Sequence, residues 1–137
     1  MPPEPPPLAA APPEAPPSAP AVLIVDDNVR LAQTVAAFMQ MQGFIAHPAH
    51  SAEEALVAVQ RARFDLILLD INMPGIDGLE VCGRLLASAP GARVLMVTGR
   101  DSAEDPLRAA AAGAQGLVTK PISLAALRDE MLRVLAH

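Results

Sequence analysis

The sequence predicts an α/β fold, a doubly wound parallel sheet of five strands with five helices. Three observations support it. Short apolar runs recur five times, segments with helical apolar spacing follow each of them, and nearly every run ends on a polar residue. The spacing between runs suits right-handed crossover connections.

Residues 22–25 form a β-branched run followed by Asp26 and Asp27. Leu31, Val35, Phe38 and Met39 then recur at helical spacing as far as Gly43, a natural C-terminal stop. Residues 44–47 read as the second strand, ended by Pro48, and Ala52, Ala55, Leu56 and Val59 make the next helical stripe. Residues 66–69 are uninterruptedly apolar and lead into Asp70, the pattern of a strand covered on both faces. A turn over residues 73–78 precedes a helix with Leu79, Cys82 and Leu86 on one side. The fourth strand spans 94–97 and ends at Thr98. An alanine-rich helix over about 106–112 follows, with Ser102 and Asp105 in a capping-box arrangement. Residues 116–119 form the fifth strand, Lys120 and Pro121 come next, and the last helix carries Leu124, Leu127, Met131 and Leu135.

Residues 1–20 differ in kind. Proline recurs throughout, fixing φ and removing amide donors, so a disordered, polyproline-like tail or linker is expected there, with one domain over 21–137. The tail has no basic residue and no continuous apolar stretch, so no secretion is expected, and no run of about 18 apolar residues offers a membrane span. Cys82 is the only cysteine, so no internal disulfide forms, in keeping with the cytoplasm. The net charge of −5 and the singly scattered arginines give no cationic surface for nucleic acid. His47, His50 and His137 fit no metal-ligand spacing.

In an open parallel sheet, ligands gather beyond the C-terminal strand ends. Asp26, Asp27, Asp70, Thr98 and Lys120 all fall there. Carboxylates held together repel and raise one another's pKa unless a cation compensates, and a hard divalent ion such as Mg²⁺ suits oxygen donors. A lysine adds a point charge for a phosphoryl oxygen and a threonine a hydroxyl donor. Among ten basic residues Lys120 is the single lysine, against nine arginines. These parts together favour phosphoryl transfer onto a carboxylate.

The stretches Val22-Leu-Ile-Val-Asp-Asp-Asn28, Asp65-Leu-Ile-Leu-Leu-Asp-Ile-Asn-Met-Pro-Gly-Ile-Asp-Gly-Leu-Glu80, Val97-Thr-Gly99 and Thr119-Lys-Pro121 resemble the CheY-like receiver domains of two-component response regulators. The resemblance implies a flavodoxin-like strand order 2-1-3-4-5. It also implies that Asp70 is the phosphoacceptor, forming a 4-aspartylphosphate, with a sensor histidine kinase or a histidine phosphotransfer protein as donor. Asp27 would bind Mg²⁺ directly, Asp26 mainly through water, and Asp70 and the backbone carbonyl of Asn72 would be further ligands. Lys120 and Thr98 would hold the phosphoryl group, and the Lys120–Pro121 bond would be cis. Asn72 and Arg100 occupy positions at which the family tunes hydrolysis of the acyl phosphate. At Leu117 relatives carry a switch Tyr or Phe, so the ring is missing here.

The function expected is a phosphorylation-controlled switch with no output domain on this chain. It is not an enzyme beyond its own phosphoryl transfer and autodephosphorylation, and it acts on a downstream protein partner. The sequence leaves the oligomeric state open, with a homodimer through helix 4, strand 5 and helix 5 as one option. A degenerate receiver serving as a scaffold is the alternative. An aspartyl-phosphate phosphatase is disfavoured, because the position two residues after Asp70 is Asn72 and not an acid.

Overall fold

A computed structural model describes residues 19–99 and 106–136 of the chain. The tail over 1–18, Arg100, the capping pair Ser102 and Asp105, and His137 lie outside the described residues. The elements run β1 (Ala21–Val25), α1 (Val29–Met41), β2 (Ile45–Ala49), α2 (Ala52–Arg61), β3 (Leu66–Asp70), α3 (Gly78–Ser88), β4 (Arg93–Thr98), α4 (Pro106–Ala111), β5 (Gly116–Thr119) and α5 (Leu124–Leu135). All strands pair in parallel in the order β2-β1-β3-β4-β5. The expected doubly wound sheet and its strand order are both present.

Period-two alternation along the strands divides the core in two. Val22, Ile24, Leu66, Leu68, Leu95 and Val97 face the layer of α1 and α5, meeting Val35, Met39, Leu127 and Met131. Leu23, Val25, Ile67, Leu69, Val94 and Met96 face α2, α3 and α4, meeting Ala55, Val59, Val81, Leu85 and Ala109. Every residue of β3 is buried, as its unbroken apolar run demands. Four helices start on side-chain caps: Asn28, Ser51, Asp77 and Ser123 each accept from an amide of the first turn.

Two elements differ from the sequence expectation. The second strand does not stop at Pro48 but runs through it to Ala49. Ile45 donates to Pro20 and Ala49 accepts from Asp26, so the peptide groups of the odd-numbered residues face β1. The nitrogen of Pro48 therefore points away from the sheet on an edge strand, where no ladder donor is needed. It also withholds a donor from any strand that would add to that edge. On α3 the buried stripe is Gly78, Val81, Cys82 and Leu85, with Leu79 and Leu86 half-buried beside it. The apolar arc of this helix is wide, and contact with the sheet fixes which part faces inward.

Cys82 is fully buried, and its Sγ lies 3.5 Å from the carbonyl of Ala112 beyond α4. Burial pushes its thiol up to about 11. Alkylation at pH 8 should therefore be at least about a hundredfold slower in the folded protein than in urea. A time course with iodoacetamide measures this, and equal rates would place Cys82 outside the core.

Candidate functional site

The strand register gathers the polar residues. β1, β3, β4 and β5 end side by side, so Asp26 follows Val25, Asp70 closes β3, Thr98 closes β4 and Lys120 follows Thr119. Asp26, Asp70 and Thr98 are the buried polar or charged residues among the described residues, at 7%, 6% and 4% exposure. Burying a charge or an unpaired hydroxyl is costly, so two carboxylates and a hydroxyl at one edge of an apolar sheet mark a built site.

Main-chain bonds hold the pieces in place. Asp26 donates its amide to Ala49, Ile71 donates to Val97, and Lys120 donates to Thr98 at 2.7 Å. The two buried aspartates share a local device. The Asn28 amide donates to Asp26 Oδ1 and the Asn72 amide to Asp70 Oδ1, each at 2.9 Å. Such Asx turns fix the carboxylate rotamers from the chain that follows. The Asn72 side chain also reaches across the strand ends, its Oδ1 accepting from the Gly99 amide. Gly78 supports this loop from below: a Cβ there would stand 2.9 Å from Ile71 Cα, so only glycine lets α3 start directly under the residue after Asp70.

Lys120 Nζ lies 3.1 Å from Asp70 Oδ2 and 3.5 Å from Asp26 Oδ2. Burial lowers the affinity of this ammonium for its proton, but hydrogen bonding and attraction to Asp70 and Asp26 outweigh that and raise its pKa. Burial pushes the Asp26 carboxyl up; the Asn28 amide opposes this, and the charge of Asp70 adds to it. Thr98 Oγ1 is buried without a hydrogen-bond partner. The Lys120–Pro121 bond is cis.

Asp26, Asp27 and Asp70 each offer one carboxylate oxygen within 4.8 Å of the others, with Asp27 exposed. Oxygens at opposite corners of an octahedral Mg²⁺ site lie about 4.2 Å apart and adjacent ones about 3 Å, from metal–oxygen distances near 2.1 Å. An all-oxygen donor set of this span, with one carboxylate pushed towards its neutral form by burial, fits a hard divalent cation.

All the strand-end residues singled out from the sequence therefore come together. Leu117 sits apart, half-buried on β5 opposite Met96 and packed on the α2–α4 side of the sheet. Sequence reasoning missed the contact of the Asn72 side chain with Gly99. Its only signal was the glycine after Thr98, where a Cβ would lie 3.3 Å from Asn72 Oδ1.

The fold is that of a signalling receiver module, and the match to the response regulator receiver domain over residues 22–132 shows that the chain belongs to that family. It is 36% identical over 103 residues to the Probable transcriptional regulatory protein TcrX of Mycobacterium tuberculosis, covering 75% of this chain and 44% of that one. The chain spans about half the length of the curated relatives it matches. A CheY-like receiver domain protein from Methanospirillum hungatei superimposes with a TM-score of 0.80 at 28% identity, covering 87% of this chain and 95% of the other. A Burkholderia pseudomallei response regulator, solved with a phosphorylated aspartic acid, calcium ion and citrate, superimposes at 0.74 and 28% identity, over 85% and 66%. Receiver domains bind Mg²⁺ at an acidic pocket, and the aspartate cluster is the corresponding feature here.

The raised Asp26 carboxyl has a consequence for stability. A carboxyl with a higher pKa in the folded state than in the unfolded state binds protons more readily when folded. Stability therefore falls as pH rises from the unfolded to the folded pKa, and the charged form remains unfavourable at neutral pH. Asp26→Asn should raise the metal-free Tm at pH 7 by about 2–5 °C. The same substitution should remove most of the gain in Tm that Mg²⁺ gives the wild type. Thermal melts with and without magnesium check both signs, and a lower metal-free Tm in the variant would contradict the reading.

Proposed function

We propose that Asp70 accepts a phosphoryl group from the phosphohistidine of a sensor histidine kinase or a histidine phosphotransfer protein, making this chain a phosphorylation-controlled switch. The observation that carries the proposal is the buried Asp70 carboxylate with Lys120 Nζ 3.1 Å away and the unpartnered Thr98 hydroxyl at the neighbouring strand end. A hydroxyl buried without a partner is costly, and a tetrahedral anion on Asp70 would satisfy it.

In the transfer, an Asp70 oxygen forms a bond to phosphorus while the P–N bond to the donor imidazole breaks. The imidazole leaves with the electron pair and is protonated. Asp26, Asp27 and Asp70, with the backbone carbonyl of Asn72, would hold Mg²⁺, which when bound offsets the negative charge on the phosphoryl oxygens and the carboxylates. Lys120 exchanges its contact with Asp26 for a phosphoryl oxygen, staying protonated because its pKa is raised. Thr98 donates its hydroxyl to another. Water performs the later hydrolysis, and no separate substrate is turned over.

The body of this switch is residues 21–137, with 1–20 as a tail or linker, and its kinase partner places it in the cytoplasm. Output passes to a downstream protein, or to a second copy, through α4, β5 and α5, without contact to nucleic acid or membrane. The half-buried Leu117 replaces the switch ring, so repacking on that face is aliphatic. That replacement is the one observation favouring a degenerate receiver acting as a scaffold. The complete set of Asp26, Asp27, Asp70, Thr98 and Lys120 favours the switch. A phosphatase lacks its second acid, since Asn72 stands at that position.

Incubation with acetyl phosphate and Mg²⁺ should add a single phosphate to the wild type and none to Asp70→Asn. Lys120→Ala should slow the addition by about a hundredfold or more, the scale of losing one electrostatic stabiliser of a transition state. Intact-mass spectrometry reads all three, and phosphate added equally to Asp70→Asn would move the acceptor elsewhere.

A further inference from the structure

A groove of about 670 Å³ runs along the outer edge of the sheet, between β2 and α2 and away from the aspartate cluster. Its lining is mainly apolar. Ile45 on β2 and Val57 on α2 are 59% and 45% exposed there. His47 and Phe64 line it beside them, with ring centroids 6.4 Å apart. Apolar side chains gathered in one concave strip mark a surface that something covers.

The edge itself restricts the occupant. The outward carbonyl of Ala46 already accepts from the Gln40 side chain at 3.2 Å, and Pro48 has no amide to give. An added strand finds little to pair with, so the groove suits side-chain packing by a segment with few backbone donors of its own. Proline-rich segments meet that demand. They stay extended without internal hydrogen bonds and dock in apolar grooves lined by rings.

Such a segment is attached at the foot of this groove. Ala21 and Ile45 line that end, and the Pro20 carbonyl accepts from the Ile45 amide at 2.9 Å. Residues 1–18, outside the described residues, are mostly proline and alanine, with Glu4 and Glu14 as their only ionisable side chains. In polyproline form they would reach as far as about 56 Å, against about 16 Å for the length of β2. The charges are complementary. Arg61 and Arg63 line the groove at the C-terminal end of α2, exposed and without an ion-pair partner among the described residues. Arg63 is two residues from Asp65, which bonds Ala21 through both its amide and its carboxylate, so this basic end is the foot. Glu53 and Glu54 stand at the opposite end of α2.

We propose that residues 1–18 of the same chain occupy the β2–α2 groove, packing proline on its apolar lining and pairing Glu14 with Arg61 and Arg63. The tether holds the segment at a local concentration on the order of millimolar, so weak contacts suffice to fill the groove. This edge of the sheet is then covered by the chain's own tail, and the strand ends that carry Asp70 stay open.

A nitroxide attached to Ala10→Cys in the full chain reads the contact by amide NMR, with buried Cys82 slow to label. The Ala58 and Phe64 signals should lose more intensity than those of Leu132 and Ala136, which line a hollow with Ala19. Val57→Glu, at an exposed helix position, and Glu14→Lys, in the tail, should each remove that difference. Equal losses at the groove and at the hollow in the wild type overturn the proposal, and so does a difference that either variant leaves intact. A mixture of nitroxide-bearing protein with isotope-labelled protein lacking the nitroxide separates the occupants. No loss at Ala58 or Phe64 is expected in it, and a loss there puts a second copy in the groove and overturns docking within one chain.

Discussion

The ammonium of Lys120 lies between two buried carboxylates, 3.1 Å from Asp70 and 3.5 Å from Asp26, and the rest of the site depends on that arrangement. Two carboxylates taken out of water beside each other repel, and each loses solvation. With Lys120 as the adjacent cation, the group carries net negative charge before Asp27 is counted. The site is therefore unsatisfied by design of its charges, and it keeps an affinity for a further cation. The same ammonium is positioned for the anion that would form on Asp70. An arginine fork would bind one carboxylate in a fixed bidentate plane, whereas a compact ammonium can shift between partners. That difference gives a physical reason for a lysine at this position in a chain otherwise supplied with arginine.

The fold serves this charge cluster by fixing the backbone that presents it. β3 is buried along its whole length, so the backbone that presents Asp70 cannot yield to the pull of its neighbours. Asp26 and Asp70 are each fixed by an amide two residues downstream, on Asn28 and Asn72. Gly78 lets α3 begin close beneath Ile71, which keeps the loop after Asp70 tight. The end of β4 is less fully bonded. Thr98 has a buried hydroxyl with no partner, and its successor Gly99 is tied by one side chain. α4, which follows, buries only Ala109 among its described residues, so little apolar contact opposes its displacement.

Receiver-family membership gives the class of behaviour, and the particulars of this chain give its variations. Leu117 fills its place on β5 with an aliphatic side chain against Met96 and the α2–α4 layer. A leucine can exchange rotamers within such packing but presents no polar tip to either core or solvent. The edge strand β2 turns the donor-less nitrogen of Pro48 outward, which disfavours strand addition at that edge of the sheet.

The order of elements, the two-sided burial of β3 and the identity of Asp26, Asp27, Asp70, Thr98 and Lys120 were legible in the sequence. Each rests on local pattern: apolar periodicity fixes strand and helix, and polar residues at the ends of apolar runs must lie at the sheet edge. What the pattern could not supply depended on relations between distant segments. Pro48 reads as a strand breaker until β1 shows which way its nitrogen points, because the sign of that rule depends on the partner strand. The inward stripe of α3 was set by contact with the sheet, since Leu79, Val81, Cys82, Leu85 and Leu86 make an arc wider than the buried face. The bond from Gly99 to Asn72 joins residues 27 positions apart, and no periodicity encodes it. Sequence alone thus determined which groups meet at the strand ends. Only the tertiary structure decided which of them are bonded to one another, because hydrogen bonds are directional and are chosen by the packing of separate strands.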